Sequence, residues 1–221
     1  MKKIIVTSVA AVLGVCALFV GRPALKVQAA PPADPHAGFT PYTDTYKVQH
    51  PFNLPESARF SVTAGPTYNA WIFKGDKGFT STTKTGPRTE MRWNLDWTVK
   101  EHMWEADVNI DPGSQGSAIM QVHATACACE PIYVQVLPGG NLRNDNGSTI
   151  IAPAMWGKWF HMLVAYDPVS GNGRVWINGS LVLTRHDPHP LSTVWYFKNG
   201  VYGITGAKSE THYKNFKFWT R

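Results

Sequence analysis

The sequence predicts an all-β protein, a sandwich of antiparallel strands. Short alternating or apolar segments recur every roughly 8 to 15 residues, separated by Gly, Asn, Asp or Pro. No long stretch shows the 3.6-residue periodicity of an amphipathic helix. The predicted strands are 58–63, 69–73, 88–94, 102–110, 117–124, 131–137, 158–166, 173–179, 180–184, 199–205 and 213–219.

Residues 1–30 have the layout of a secretory signal peptide. Two lysines precede an apolar run from Ile4 to Val20, and small residues then lead to a cleavage site. A membrane anchor is the alternative, because the run reaches the short end of a spanning helix. We expect cleavage and secretion, to the extracellular space or the periplasm. Residues 31–45 are then an extended lead-in, and residues 46–221 form a single domain.

Cleavage also changes the charge balance of the chain. Four of the 21 Lys and Arg residues, and none of the 15 Asp and Glu residues, lie in residues 1–30, which leaves 17 basic residues against 15 acidic ones. A nearly neutral domain without a basic run does not resemble a nucleic-acid-binding protein. We expect a monomer without a nucleic-acid partner and, after cleavage, without a membrane partner.

Two local segments have the composition of turns and loops. Asn178-Gly179 lies between two apolar runs, and this pair predicts a tight type I′ hairpin. Residues 141–148 have the polar composition of an exposed loop. Asn146 and Asn178 each begin an Asn-Gly-Ser sequence, which is also a glycosylation sequon.

The two cysteines that remain after cleavage, Cys127 and Cys129, are too few to staple a domain of this size. Their spacing is compatible with a small disulfide ring or with two thiols. Together with His123 and the His-Asp-Pro-His run at 186–189, they make a metal site a competing hypothesis. The paired spacing typical of zinc sites is missing, and we expect neither a metal nor a cofactor.

Three segments place polar groups on one face when they are read as strands: "RTEMR" at 88–92, "MQVH" at 120–123 and "YFKNGVY" at 196–202. Successive side chains of a strand point to opposite sides of the sheet, so residues of the same parity share a face. The polar sets are Arg88, Glu90 and Arg92; Gln121 and His123; and Tyr196, Lys198 and Tyr202.

If these strands are neighbours, their polar sets suit an anionic, hydroxyl-rich chain. Arginine pairs with carboxylates, glutamine donates from its amide, and histidine and tyrosine can transfer protons. Structural explanations compete for each set. Alternating charges on a strand can be a solvated salt-bridge ladder, a lone histidine is often a structural hydrogen-bonding group, and strand tyrosines commonly pack at sheet rims.

The same three segments resemble the ordered motifs of the alginate lyases of polysaccharide lyase family 7. "RTEMR", "QVH" and "YFKNGVY" correspond to the family patterns R-[ST]-E-[LV]-R, Q-[IV]-H and Y-F-K-A-G-x-Y-N-Q, in the same order between residues 88 and 202. The wider phrases "GPRTEMRW" and "IMQVHA" also resemble a related group. That group includes the glucuronan lyases of polysaccharide lyase family 20 and plant citrate-binding-like proteins.

The resemblance implies a β-jelly roll of two antiparallel sheets with a concave substrate cleft. It implies a polyuronate substrate, alginate first and glucuronan second, cleaved by β-elimination without a metal or cofactor. The product would carry a 4,5-unsaturated uronate end. A different class of function is a non-catalytic binder of carbohydrates or carboxylates on the same scaffold. The presence of both His123 and Tyr202 favours an enzyme, because a binder needs neither a base nor an acid.

The resemblance also assigns catalytic roles. Arg88 and Gln121 would neutralise the uronate carboxylate and stabilise the anion that develops in the reaction. His123 or Tyr202 would take the C5 proton, and Tyr202 would protonate the leaving oxygen. The residues expected to bind substrate are Glu90, Arg92, Tyr196 and Lys198.

Two details of the resemblance bear on specificity. Glu90 lies between Arg88 and Arg92, where salt bridges would hold both arginines in register. The family pattern continues with Asn and Gln after the tyrosine, whereas residues 203–204 of this chain are Gly-Ile. This departure leaves the preferred uronate open.

Overall fold

The structure, a computed structural model, describes residues 34–145 and 147–221. The predicted signal peptide, residues 1–30, lies outside the described residues, and so does Asn146 of the first sequon. In the described ranges no helix is long and apolar enough to cross a membrane. The only helical elements there are two 3-10 turns, Glu56–Ala58 and Pro138–Gly140.

The described residues form fifteen strands. They are β1 Thr40–Tyr42, β2 Tyr46–Gln49, β3 Phe60–Thr63, β4 Thr67–Phe73, β5 Arg88–Trp93, β6 His102–Ile110, β7 Ala118–Ala124, β8 Ile132–Val136, β9 Leu142–Asn144, β10 Ile150–Ala152, β11 Phe160–Asp167, β12 Asn172–Ile177, β13 Ser180–His186, β14 Trp195–Tyr202 and β15 Lys208–Thr220.

The strands form two antiparallel sheets. The eight-stranded sheet has the order β13-β12-β11-β6-β15-β4-β3, and β1 pairs with the end of β15. The seven-stranded sheet has the order β10-β9-β8-β7-β14-β5-β2. Both sheets combine hairpins of consecutive strands with pairs of strands that are distant in sequence, as in a β-jelly roll, and the predicted all-β class is confirmed.

The predicted strands correspond to observed ones, with two boundary errors and four omissions. The segment 213–219 misses the first five residues of β15, which begins at Lys208. The segment 199–205 covers only the end of β14, because that strand begins at Trp195. The short strands β1, β2, β9 and β10 were not predicted. The prediction of an exposed loop over 141–148 is wrong for β9, whose Leu142 pairs with Val136 and is fully buried.

The main core lies between the two sheets. Alternate residues of the long strands point inward, for example Trp104 of β6 and Tyr213 of β15, both with 0% exposure. Burying each large apolar side chain of this kind contributes about 1.5 to 3 kcal/mol. A second, smaller apolar cluster contains Met103 and Trp176, with Phe39 packed against it.

The predicted hairpin at Asn178-Gly179 is confirmed. Both residues have positive φ, 50° and 79°, as the two central positions of a type I′ turn require. The Asn178 side chain also accepts a hydrogen bond from the His161 backbone N–H at 2.9 Å. This turn joins β12 to β13 at the edge of the eight-stranded sheet.

Candidate active site

The three strands with polar sets are neighbours in the seven-stranded sheet, with β14 between β7 and β5. Lys198 of β14 lies opposite Arg92 on one side and Gln121 on the other. Since all polar sets have the same parity as these partners, they share one face of the sheet. We call this surface the polar face, and it contains Arg88, Glu90, Arg92, Gln121, His123, Tyr196, Lys198 and Tyr202.

The opposite face of the same strands packs into the core. Met91, Met120 and Val122 are fully buried there, next to Phe197 and Val201 of β14. The alternation in the sequence therefore separates packing from polar groups on each of the three strands, as predicted.

Glu90 is the electrostatic centre of the polar face. Its side chain is 1% exposed, and Lys198 Nζ lies 2.6 Å from its Oε2. The Gln121 amide donates to its Oε1 at 2.5 Å. Burial lowers the pKa of Lys198, and the Glu90 carboxylate opposes that shift. A carboxylate and an ammonium group can be buried together here because each is the partner of the other.

The two arginines have different partners. Arg88 Nη1 lies 3.6 Å from Glu90 Oε2, so the expected salt bridge between Glu90 and Arg88 is present. Arg92 instead pairs with Asp96, and its guanidinium also donates to the Trp93 carbonyl at 2.5 Å. The expectation that Glu90 holds both arginines is therefore wrong for Arg92, because the nearer Asp96 carboxylate neutralises it.

Tyr202 lies below the Arg88 side chain. The Arg88 guanidinium carbon is 4.4 Å from the centre of the Tyr202 ring, and Lys198 Nζ is 5.9 Å from it. The Tyr133 ring meets Tyr202 edge-on, with 6.4 Å between ring centres. These contacts orient the phenol next to two cations on the polar face.

His123 has a defined ring orientation. Its Nδ1 lies 2.6 Å from the Ala124 carbonyl oxygen, which can only accept, so Nδ1 carries a proton and donates it. The Tyr196 ring stacks on the imidazole with 5.3 Å between centres, and Tyr196 Oη lies 3.2 Å from Nδ1. Burial lowers the pKa of His123, and the nearby Lys198 lowers it further.

The second nitrogen of His123 faces a residue that sequence reasoning missed. Glu130 Oε1 lies 3.2 Å from His123 Nε2. Glu130 lies near the end of the β7–β8 loop, where no strand periodicity marks it as a site residue. Burial raises the pKa of its carboxyl group. The polar face therefore contains a carboxylate–imidazole pair in addition to the Glu90–Lys198 pair.

A disulfide between Cys127 and Cys129 closes the same loop. The sequence was compatible with this bond or with two thiols. The Ala124 backbone N–H donates to the Cys129 carbonyl at 3.2 Å, directly before Glu130. In the disulfide neither sulfur is the thiolate that a zinc site with His123 would need.

The predicted substrate-binding residues differ in accessibility. The side chains of Arg92 and Arg88 are 19% and 12% exposed. The side chains of Lys198 and Glu90 are only 2% and 1% exposed. Tyr196 is buried except for 9% of its surface. The buried pair thus lies under the outer part of the face. Its direct contact with substrate stays a prediction.

Further polar residues extend the face on both sides. Lys47 and Gln49 of β2 lie opposite Arg92 and Glu90, and Tyr133 of β8 lies opposite Gln121. The parity rule would have found Tyr133, because Tyr133 and Gln135 alternate with apolar residues in the segment 131–137. It would have found the pair on β2 only if that short edge strand had been recognised.

A buried tyrosine from the other sheet fixes the backbone next to Tyr202. The pairing of β14 with β7 shifts by one residue between Asn199 and Tyr202, which is a β-bulge. The Gly200 N–H donates to the Tyr213 hydroxyl at 3.1 Å, and that hydroxyl lies 2.7 Å from the Ile119 carbonyl oxygen, to which it donates. Gly200 has φ of +145°, and a Cβ there would lie 2.2 Å from the Thr89 carbonyl oxygen. Only glycine fits this close approach.

Two other features of the described residues lie apart from the polar face. An aromatic cavity of about 520 Å³ is lined by Tyr46, Trp93 and Phe216 among others, and it lacks a histidine. Asp111, Glu210 and His212 place one ligand atom each within 4.8 Å of one another, in or next to strands of the eight-stranded sheet. Neither includes the predicted proton-transfer groups.

The chain is similar to proteins of known family along most of its length. The alginate lyase family pattern matches residues 43–220. A citrate-binding protein from Hevea brasiliensis is 30% identical over 194 residues, which cover 85% of this chain and 79% of that protein.

Solved structures share the fold. One alginate lyase of polysaccharide lyase family 7 superimposes with a TM-score of 0.63 at 19% identity, covering 80% of this chain and 94% of the other. An alginate lyase from Pseudomonas aeruginosa gives a TM-score of 0.61 at 19% identity, covering 80% and 98%. The fold is therefore the jelly roll of these enzymes. With the family pattern matched over residues 43–220, the chain belongs to the alginate lyase family.

Proposed function

We propose that this protein is a polysaccharide lyase that cleaves a polyuronate, with alginate as the first expected substrate, by β-elimination at the polar face. One observation carries the proposal. Arg88, Gln121, His123 and Tyr202, the four residues expected to catalyse this reaction, come together on three adjacent strands around the buried Glu90.

The substrate carboxylate is the group that the cations of this face would recognise. Arg88 is partly exposed, and its Nε is buried without a hydrogen-bond partner among the described residues. The Gln121 amide is held by Glu90. Arg88 and Gln121 would partly neutralise a uronate carboxylate next to them. The carbanion that forms at C5 would then be repelled less by that carboxylate.

Two residues would move the protons. His123 takes the C5 proton, the electrons of that C–H bond form the C4–C5 double bond, and the C4–O bond breaks. Tyr202 gives its hydroxyl proton to the departing glycosidic oxygen. The Arg88 guanidinium over the Tyr202 ring stabilises the phenolate that results. General acid–base catalysis of this type contributes about 10²- to 10⁴-fold for each group.

Glu90 and Lys198 have a supporting role in this scheme. They form an ion pair of 2.6 Å below the accessible part of the face, in contact with Arg88 and Gln121. Fixing these two residues in advance lowers the cost of organising the site around the substrate.

The substrate is tested by a panel of polymers. The purified chain is incubated with alginate, polymannuronate, polyguluronate and glucuronan in the presence of EDTA, and ultraviolet absorbance follows new unsaturated ends. We expect a rise with alginate or one of its two block polymers. A rise with glucuronan alone would make the chain a glucuronan lyase, the close alternative.

A second candidate function is the binding of a small polycarboxylate without turnover. The similarity to a citrate-binding protein over 85% of this chain favours it, and the cations of the polar face suit such a ligand. Calorimetry with citrate separates the two functions. Micromolar citrate binding without turnover of any polymer would support the binder.

A further inference from the structure

We propose that Glu130 is a positioning residue that stabilises the protonated form of His123 and so sets the strength of this base. The role in turnover rests on the proposed function, whereas the effect of Glu130 on the imidazole does not. Glu130 belongs to none of the three motifs that predicted the site.

The short distance between the two side chains, 3.2 Å from His123 Nε2 to Glu130 Oε1, favours a protonated imidazole. His123 Nδ1 already donates its proton to the Ala124 carbonyl at 2.6 Å. In a neutral ring, Nε2 would then present a lone pair to Glu130 Oε1 at 3.2 Å, against the lone pairs of the carboxylate. Protonation of Nε2 turns this repulsion into the attraction of an ion pair. The arrangement therefore stabilises the imidazolium that forms when the base accepts a proton.

The loop holds Glu130 at this position. The Cys127–Cys129 disulfide closes the turn, and the Cys129 carbonyl accepts the hydrogen bond from Ala124 N–H. Cys129 also packs against the main core. Glu130 and His123 are both half-buried, with 23% and 20% of their side chains exposed. Solvent screening of the pair is therefore incomplete.

Other charged groups near the pair do not replace Glu130. Lys198 and Arg88 disfavour the imidazolium, and Glu90 favours it but is already paired with Lys198 at 2.6 Å. Only Glu130 contacts Nε2 directly among the described residues. The charged or titratable groups that face the pair from neighbouring elements are Arg88 and Glu90 of β5, Tyr133 of β8, Tyr196 and Lys198 of β14, and Asp145 after β9.

This arrangement has a consequence for catalysis. When His123 takes the C5 proton at Nε2, the new positive charge forms next to the Glu130 carboxylate, which strengthens the base. Without that carboxylate the imidazole remains neutral to lower pH but accepts the proton less readily. The acid limb of kcat/KM then moves to lower pH, and the plateau rate falls.

The test is the titration of His123 in Glu130→Gln, followed by NMR of the imidazole in the purified chain. The eight histidines of the chain require an assignment, which the loss of one signal in His123→Asn provides. We expect the pKa of His123 to fall by about one unit or more, the size typical of losing an opposite charge in contact. An unchanged His123 titration in Glu130→Gln overturns the inference.

Asp145→Asn is the matched control. Asp145 raises the pKa of Glu130 through space but makes no contact with His123, and asparagine accepts its positive φ of 52°. This variant removes the same charge, and we expect a His123 shift below about 0.3 unit. An equal shift of the His123 pKa in both variants would show that any negative charge in this region has the same effect. That result would overturn the specific role of Glu130.

Kinetics separate this inference from the proposed function. If a polymer is cleaved, the acid limb of kcat/KM in Glu130→Gln should move with the NMR titration. A limb that stays in place while the titration moves would show that His123 is not the base, and would overturn the role in turnover. If no polymer is cleaved, the proposed function fails, and the NMR titration still decides whether Glu130 controls His123.

Discussion

At the residue scale, Tyr202 and His123 can be changed without opening the core. Both side chains are only partly buried on the polar face. In Tyr202→Phe the ring remains under the Arg88 guanidinium, which lies 4.4 Å from its centre, and only the hydroxyl is lost. We expect Tyr202→Phe and His123→Ala each to lower kcat by at least about 10²-fold. The free energy of unfolding should change by less than about 1 kcal/mol.

Steady-state kinetics together with thermal unfolding check both variants. Loss of folding in both would show that these side chains are structural and that the site is misplaced.

Arg88 is expected to contribute to both affinity and rate. Its guanidinium contacts Glu90 and the Tyr202 ring and is partly exposed to a ligand. We expect Arg88→Ala to raise KM and lower kcat, with kcat/KM reduced by at least about 10²-fold, or about 3 kcal/mol. Arg88→Lys keeps the charge but not the planar fork, and should recover part of this loss. Unchanged kinetics in Arg88→Ala would remove the residue from the site.

At the element scale, the bulge of β14 depends on a hydroxyl from the opposite sheet. Tyr213→Phe leaves the buried Gly200 N–H without its 3.1 Å partner, at a cost of about 1 to 3 kcal/mol. Because Gly200 precedes Tyr202 by two residues, we expect kcat to fall by about tenfold with little change in KM. Urea denaturation and steady-state kinetics measure the two effects.

Tyr166→Phe is the control for this prediction. Tyr166 is also fully buried on the eight-stranded sheet, but its hydroxyl donates to the Asp187 carbonyl at 3.0 Å, away from the bulge. This variant should lose comparable stability and keep its kcat. If the two variants had equal kcat, Tyr213 would contribute to stability alone.

The strands that were predicted and those that were missed differ in where their stability comes from. Segments such as 102–110 carry enough apolar residues to identify a buried strand from sequence. β9 and β2 have three and four residues, lie at or near the edges of their sheet, and exist because a longer neighbour provides backbone partners. Their local composition is that of a loop or a polar edge, and they are too short for alternating polar and apolar residues to identify them as strands.

At the scale of the whole molecule, acid should weaken the fold in two pH windows. Burial lowers the pKa of His102 to about 4, and this residue stacks on Trp97 in the core. The unfolded chain binds a proton there near pH 6.5 and the folded chain only near 4. His102 therefore contributes stability above pH 6.5 that is lost as the pH falls toward 4.

The second window belongs to Glu105. Its hydrogen bonds to His161, His36 and Lys217 outweigh burial and lower its pKa to about 2. Its stabilising effect is present above about pH 4.5 and is lost as the pH falls to about 2. His161 has the opposite sign, because its raised pKa stabilises the fold at lower pH and this contribution fades as the pH rises.

Single substitutions isolate the two windows. The free energy of unfolding of His102→Phe should depend less on pH than that of the wild type between about 6.5 and 4, by on the order of 2 kcal/mol. Glu105→Gln should remove the pH dependence of the free energy of unfolding below pH 4.5. It should also lower the free energy of unfolding at neutral pH by about 2 kcal/mol. Urea denaturation at several pH values measures both. Parallel pH profiles of wild type and His102→Phe would contradict the first assignment.

The arrangement of the site was predictable from the sequence to the extent that strand alternation determined it. Parity predicted which face of its own strand each of Glu90 and Gln121 lies on, and the adjacency of the three strands was an assumption. The sheet order shows that β14 pairs with both of their strands. The pairing of Arg92 with Asp96 and of His123 with Glu130 was not predictable. Both partners lie beyond the ends of strands, where backbone turns rather than alternation determine side-chain direction.

The central claim is β-elimination, and the most direct measurement is the digestion of alginate with EDTA present. Ultraviolet absorbance is recorded and the products are analysed by mass spectrometry, with Tyr202→Phe in parallel. We predict a rise in absorbance for the wild type, products lighter by the mass of one water molecule than hydrolysis would give, and no rise for Tyr202→Phe. Products with the full mass of hydrolysed oligosaccharides and no rise in absorbance would indicate hydrolysis and contradict the mechanism. No cleavage of alginate or the related polymers, with tight binding by calorimetry, would show a binding protein on a lyase scaffold.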